Sequence, residues 1–388
     1  MELRVVDYGS VRSKYILLRV DFNVQIENGK ILDSFRIKQS MPTINKLRES
    51  GARVAICAHL GRPRGEHVPD LSLRPVAEYM KIPFVEDCLD KKFMTTMRDG
   101  DIVLLENVRF YAGEENDDAE FAARLANGFD LFVNDAFAVS HRAAASTVGV
   151  AKILPSFAGE LLRTEVENIS RIMKNPKRPL TAIVGGAKVS GKIGVLKTLC
   201  KLADTVIVGG AIGTTFNYAC GEPVGNSLYE PDMADVARDI MKIAADNGCK
   251  FLMPIDKGVG KMFARDASRT NKSVDEIADT DVIIDDGPMT AERNIAEIDR
   301  SATVIWNGTF GMAEWGDVWG ASRFAVARHI AERTAAGRLV SLVGGGETVA
   351  ALDAVGVRDN ITYVSTGGGA FLEFIERGTL PAIEMLVV

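Results

Sequence analysis

Residues Leu180–Val195 read LTAIVGGAKVSGKIGV, and the fold turns on how this stretch is read. Leu180–Val184 has the apolar, β-branched composition of a buried strand. A glycine pair then turns the chain toward a helix expected to begin near Ser190. Strand, glycine turn and helix form the repeating unit of parallel α/β architecture. From Gly186 to Lys192 the same residues fit the phosphate-loop frame G-x-x-x-x-G-K, but the hydroxyl residue that should follow to hold Mg²⁺ is Ile193. A damaged phosphate loop, a chance pairing of Gly and Lys, and a different kind of phosphate site are the three readings.

The same strand pattern recurs along the chain. ILLRVDFNV, RVAICAHL, DIVLLENV and DLFVNDAF read as buried strands in the first 140 residues, with MPTINKLRES, LRPVAEYM and DDAEFAARLANG as helices between them. TVIVGGA, FLMPID, DVIIDDG, TVIWNG, LVSLVGGG and TYVSTGG continue the pattern later. Strands apolar on both faces fit parallel sheets covered by helices on each side. Near the middle, LPSFAGELLRTEVENISRIMKNPKRP places Leu161, Leu162, Val166, Ile169, Ile172 and Met173 at helical spacing. The expectation is α/β: two doubly wound parallel-sheet domains joined by a long helix, with a hinge-closing cleft between them. Residues 1–158 form one domain, 159–177 the linking helix, 178–371 the second domain, and 372–388 a terminal segment.

Bulk properties narrow the function. A chain of 388 residues is long for one core. A net charge of −6 argues against a general nucleic-acid binder, whose footprint is basic. The five cysteines are scattered without a CxxC pair, so neither a disulfide framework nor a zinc site is expected. The N-terminus lacks the regions of a signal peptide, and no apolar run reaches membrane-span length. A cytoplasmic protein with no membrane partner is the expectation.

In open parallel sheets, ligands bind at the carboxyl ends of strands. In the first half those positions carry cations: Arg36, His59, Arg62, Arg109, His141 and Arg142. One such Arg would read as a surface ion pair. Several cationic loops at corresponding positions read as an anion site, because the guanidinium fork grips phosphate or carboxylate twice. Asp21 and Asn23 also end a strand, where ligand binding and ordinary turn chemistry explain them equally well. The second half has glycines where the first has cations: GGAKVSGK, VGGA, WNGTFG, VGGGE and STGGGA. Glycine lets backbone N–H groups approach phosphate closely, and a helix N-terminus adds positive potential. Five clusters on one sheet edge suggest a nucleotide, with Lys188 and Lys192 on its phosphates if helical geometry has begun by then.

RVDFNV, DSFRI, AHLGRP, LLENVRF, NDAF with HRAAAST, GGAKVSGKI, WNGTFG, GGGET and STGGGAFLEF together closely resemble the phosphoglycerate kinase family, in family order from about residue 15 onward. The resemblance implies reversible phosphoryl transfer between ATP and the carboxylate of 3-phosphoglycerate, giving ADP and 1,3-bisphosphoglycerate, with Mg²⁺, in glycolysis and gluconeogenesis. By position it implies a phosphoglycerate site at Asp21, Asn23, Arg36, His59, Arg62, Arg109 and Arg142. It places a nucleotide site at Gly186, Lys188, Lys192, Gly210, Asn307, Glu314, Gly344, Gly345, Gly346, Glu347 and Thr348. Arg36 and Lys192 would neutralise the transferring group, and Glu314 would meet the ribose. A monomer is implied, with residues from about 372 returning to the first domain.

Six residues at five sites depart from the family pattern. Glu347 stands where Asp meets the nucleotide-bound metal, making it a metal ligand one methylene too long. Thr309 replaces a Pro, and Phe371 a small hydroxyl residue at a helix start. Ala144 replaces a His, and Ala321-Ser322 a Gly-Thr. Two alternatives stay open: a relative acting on another phosphorylated or phosphonate carboxylate, and a catalytically weak nucleotide-binding scaffold.

Overall fold

A computed structural model describes residues 1–388, the side chain of Ala313 excepted. The chain divides into two compact units, one of residues 1–170 with 377–388 and one of residues 171–376. The division falls inside the long helix rather than at its ends.

The first unit is built on a six-stranded parallel sheet. In chain order its elements are β1 (Tyr15–Arg19), a hairpin β2 (Ile26–Glu27) and β3 (Lys30–Ile31), α1 (Phe35–Glu49), β4 (Arg53–Cys57), α2 (Arg74–Met80), β5 (Phe84–Val85), β6 (Ile102–Leu105), α3 (Ala112–Glu115), α4 (Ala119–Ala126), β7 (Leu131–Asn134) and β8 (Ser156–Ala158). The sheet order is β5-β6-β4-β1-β7-β8, reversing direction on either side of β1 as doubly wound sheets do. Alternate residues fill two cores. Ile16, Leu18, Val54, Ile56 and Val133 pack on one face, and Leu17, Ala55, Cys57, Val103 and Phe132 on the other. This is why these segments read as unbroken apolar runs.

Local chemistry sets the helix ends. Asp118 caps α4 by accepting from Phe121 N at 2.7 Å. Helix α1 begins six residues before the expected MPTINKLRES, where Asp33 Oδ1 accepts from Phe35 N at 2.8 Å, and it continues through Pro42. Arg36 is therefore in the first turn of a helix, not at a strand end. β8 ends the first domain's sheet at Ala158, and α5 (Glu160–Lys174) follows within the expected linking segment. Residues 377–388 close the unit: Leu3 and Val387 form an antiparallel bridge, and Arg4 N donates to Leu386 O at 2.8 Å.

The second unit contains β9 (Leu180–Val184), α6 (Ile193–Leu202), β10 (Thr205–Val208), α7 (Gly210–Ala219), α8 (Ala234–Asp246), β11 (Lys250–Leu252), β12 (Asp256–Gly260), β13 (Thr270–Ser273), β14 (Val282–Asp286), α9 (Pro288–Arg300), β15 (Thr303–Asn307), α10 (Asp317–Ala335), β16 (Val340–Gly344), α11 (Gly346–Ala354), β17 (Tyr363–Val364) and α12 (Gly368–Arg377). A short helix α13 (Pro381–Glu384) belongs to the first unit. Six strands form a parallel sheet in the order β11-β10-β9-β15-β16-β17. The segment DVIIDDG does not join it. As β14 it pairs antiparallel with β12 in a three-stranded sheet, β13-β12-β14. Its partner DKGVG lacks strand composition, because Lys257 is buried and satisfied by Asp286 at 2.8 Å.

Candidate functional site

The first unit gathers its cations by register. β1 pairs with β4 so that Arg19 lies opposite Cys57, and the residues two further along, Asp21 and His59, leave the sheet side by side. Both are buried. Asp21 accepts from Arg36 Nη1 and, through Oδ1, from Asn23 N at 3.0 Å. Asn23 Oδ1 accepts from Gly61 N at 2.9 Å, and Arg109 Nη1 donates to Gly61 O at 2.7 Å. Asp21, Asn23, Arg36 and Arg109 are thus linked through one loop.

His59 reports the electrostatics of this edge. Burial, then the charges of Arg19, Arg109, Arg36 and Arg142, push its pKa well below the ordinary imidazole range. The ring is neutral at pH 7. Arg19 Nη2 lies 3.3 Å from Nδ1, and a guanidinium only donates, so Nδ1 accepts and the ring proton sits on Nε2. Asp21 Oδ1, 3.9 Å from Nδ1, is not its partner. Arg62 and Arg142 are exposed beside this cluster.

Arg19 and Glu114 are the residues that the sequence reading missed. Arg19 is buried and donates to Ser146 Oγ at 2.8 Å and to Val20 O. Glu114, also buried, accepts from Ser146 Oγ at 2.6 Å and Ser146 N at 2.9 Å. A charge inside the apolar run ILLRV was the available signal, since a buried charge needs partners.

The second unit builds a glycine edge the same way. Asn307 lies opposite Val184 on one side and Gly344 on the other, so Gly185, Gly308 and Gly345 leave the sheet together. The loops approach so closely that a Cβ on Gly308 would stand 2.1 Å from Gly185 O, and Gly308 has φ +91°. Lys192 Nζ donates to Gly185 O at 2.6 Å and to Asn307 Oδ1 at 2.8 Å. Asn307 Nδ2 donates to Gly344 O at 2.7 Å, and Thr348 Oγ1 accepts from Gly308 N at 2.7 Å. Burial pushes the Lys192 ammonium down to about 8, opposed by the Glu347 carboxylate.

Helix α6 begins at Ile193, with Lys192 at its N-cap. The expected start near Ser190 is therefore corrected, and Lys188 and Lys192 do not share a helical face. Lys188 is exposed. Burial alone would raise the Glu230 carboxyl, but hydrogen bonds from Ser190 and Val189 and the Lys188 charge hold it below its usual range.

Beside this edge lies a cavity of about 160 Å³. Gly186, Gly210, Thr309, Glu314 and Glu347 line one part, and Leu228, Phe263, Ile283, Ile284 and Met312 supply an apolar wall. That wall comes largely from the antiparallel sheet and its loops, which is why strand-end reading did not find it. Helices α7 and α11 start here, at Gly210 and Gly346, with N–H groups free of intrahelical partners. Glu347 is exposed on the first turn of α11. Among the described residues, no three His, Cys, Asp or Glu side chains gather into a metal cage. One exposed carboxylate beside the glycine edge nevertheless fits Mg²⁺, which keeps waters and takes most other ligands from substrate phosphates.

The family model for phosphoglycerate kinase matches residues 6–378. The chain belongs to the phosphoglycerate kinase family. It is 43% identical over 395 residues to the phosphoglycerate kinase of Caulobacter vibrioides, covering 100% of each chain. It is 44% identical over 389 residues to that of Mesorhizobium japonicum, covering 98% of each. The solved structure of phosphoglycerate kinase from Coxiella burnetii matches with a TM-score of 0.85 at 41% identity, covering 97% of this chain and 96% of that one. The phosphoglycerate kinase from Pyrococcus horikoshii OT3 matches at 0.83 with 28% identity and the same coverage.

Two departures from the phosphoglycerate kinase pattern acquire a physical meaning. Thr309 lines the cavity, and its carbonyl accepts from Gly186 N at 2.9 Å. Phe371 is not at a capping position: it is the fourth residue of α12, fully buried, with its ring against Gly344. It fills space beneath the glycine loop. Nothing in the structure explains Ala144.

Proposed function

We propose how these residues divide the work of phosphoglycerate kinase, the reversible transfer of a phosphoryl group between ATP and the carboxylate of 3-phosphoglycerate. The acceptor is a carboxylate with a reference pKa of about 4, already ionised at pH 7, so no general base is required. The reaction needs alignment and charge neutralisation.

The observation that carries the residue assignment is the cluster of Arg36, Arg109 and Arg142 around a neutral His59 at one sheet edge. This supports placing the acid there, its anionic groups held by Arg36, Arg62, Arg109 and Arg142. The neutral His59, Asp21 and Asn23 would be left to meet hydroxyl or uncharged atoms. The glycine edge and the N-termini of α7 and α11 support a nucleotide, with its base against the apolar wall and Glu314 toward the ribose. Lys192, positioned by Asn307, is assigned to the transferring group together with Arg36, and Lys188 to the outer phosphates. Glu347 would hold Mg²⁺, which supplies charge neutralisation when bound. Closure of the units on both substrates, a monomeric state and a cytoplasmic location complete the reading. Among the described residues, no helix is long and apolar enough to cross a membrane.

The test couples purified protein, ATP, Mg²⁺ and 3-phosphoglycerate to a dehydrogenase that reduces the acyl phosphate. NADH oxidation above a no-enzyme blank is expected, and its loss by at least about 10²-fold in Lys192→Met supports the assignment of that side chain. Absence of turnover with 3-phosphoglycerate, but turnover of another carboxylate, would move the substrate. Nucleotide binding without any turnover would make the chain a scaffold.

A further inference from the structure

Away from the phosphoryl-transfer residues, three sulfur atoms from three elements of the second unit converge at the surface. Cys220 Sγ, at the C-terminus of α7, lies 3.9 Å from Met241 Sδ on α8 and 4.0 Å from Met253 Sδ just after β11. The thiol is exposed and both methionines are half-buried, so the group has an opening to solvent. The backbones beneath are tied together. Asn217 Nδ2 on α7 donates to Pro254 O at 3.1 Å, and Arg238 Nη1 on α8 donates to Ala219 O at 2.7 Å. These bonds fix the spacing of the three elements, so the arrangement does not depend on the sulfur contacts themselves.

Sulfur ligands select soft ions, and thioethers do so more strictly than thiolate alone. A metal–sulfur bond of about 2.3 Å in a trigonal plane sets ligand sulfurs about 4.0 Å apart. Both measured separations match that edge. We propose that Cys220, Met241 and Met253 form a surface site for one soft monovalent d¹⁰ cation, Cu(I) or Ag(I). The cation replaces the thiol proton, forming one metal–thiolate bond and two thioether bonds and releasing one proton to solvent. No electron is transferred, because the metal arrives in its monovalent state. Burial and the Glu222 carboxylate raise the free Cys220 thiol, opposed by Arg238, so the site stays protonated until a metal competes for the sulfur. The ion would cross-link α7, α8 and the segment after β11, making the second unit more resistant to heat when loaded.

The experiment titrates the full-length protein anaerobically with Cu(I) supplied as its acetonitrile complex, in competition with bicinchoninate. One equivalent is expected to be retained, with Zn²⁺ failing to displace it. Cys220→Ser is expected to lose retention, and Met241→Leu and Met253→Leu each to weaken it at least tenfold. The leucine variants conserve volume, so they report on ligation even if the serine variant folds poorly. All three variants are expected to keep the kinase activity of the parent. X-ray absorption of the Ag(I) form is expected to show three sulfur neighbours. Surrender of all the metal to bicinchoninate overturns the site. So does retention by a variant carrying both Met241→Leu and Met253→Leu equal to that of the parent, or weakening in only one of the two single leucine variants.

Discussion

The ring of Phe371 lies against the Cα of Gly344, so that a Cβ added to the glycine would stand 2.5 Å from Cδ1 of the ring. The buried aromatic and the bare backbone are two halves of one contact, and that contact supports the loop carrying Gly345, Gly346 and Glu347.

Removing either half has a definite cost. Phe371→Ala empties a fully buried site and is expected to destabilise the protein by about 3–5 kcal/mol. Gly344→Ala forces the ring aside and should raise the KM for nucleotide more than that for 3-phosphoglycerate. Urea denaturation and steady-state kinetics check both. Equal effects on the two KM values would show that the contact does not act through the glycine loop.

Lys192 predicts a pH dependence. Its ammonium titrates at about 8 in the folded chain against an ordinary value of 10.5. Between those values the unfolded chain holds a proton that the folded one has lost, so this group's contribution to stability improves as pH rises through that window. Binding runs the other way. With Lys192 placed against phosphate as proposed, the kcat/KM for nucleotide is expected to fall as pH rises through about 8, because the deprotonated amine would no longer attract it. Phosphate beside the amine restores its charge, so nucleotide binding at pH 8–9 should take up protons, measurable by calorimetry in buffers of different ionisation enthalpy. Lys192→Arg, which stays charged, should abolish the inflection.

Arg19 and Glu114 form a buried unit bridged by Ser146. Arg19→Met keeps much of the volume but strands the Glu114 charge, and is expected to cost about 3–5 kcal/mol. It also removes the donor facing His59 Nδ1, so the KM for 3-phosphoglycerate should rise while that for nucleotide stays near the parent value. Chemical denaturation and the paired KM values check this.

Glu347→Asp is expected to leave turnover intact or raise it, since the shorter side chain retains the charge on the first turn of α11. Glu347→Gln should raise the Mg²⁺ concentration needed for half-maximal rate. Total loss of activity in the aspartate variant would show that the site is built around the longer side chain.

What was legible in the sequence follows from which forces act locally. Runs such as LTAIV and RVAIC are apolar on both faces because each faces a core on both sides, and they revealed the two parallel sheets. That Asp21, His59 and Arg109 gather at one sheet edge was legible because strand ends in such sheets lie together, although Asp21 was equally explicable as turn chemistry. DKGVG was not, since its burial depends on a Lys257–Asp286 pair separated by 29 residues. The start of α6 was misplaced by three residues because Gly186 and Gly191 mark a turn without saying where it ends. Arg36 was found for its charge, while its place on α1 depends on an Asp33 turn that resembles ordinary loop chemistry.

The bridge between Leu3 and Val387 has a consequence for how the chain is made. Residues 171–376 are contiguous and can collapse as soon as they leave the ribosome. The other unit can form its six-stranded sheet early, since those strands all lie between Tyr15 and Ala158, but the bridge partner of Leu3 is synthesised only after the whole of its neighbour. The half that emerges first is finished last: Arg4 to Val6 find Ala158 within it, but Leu3 waits for Val387.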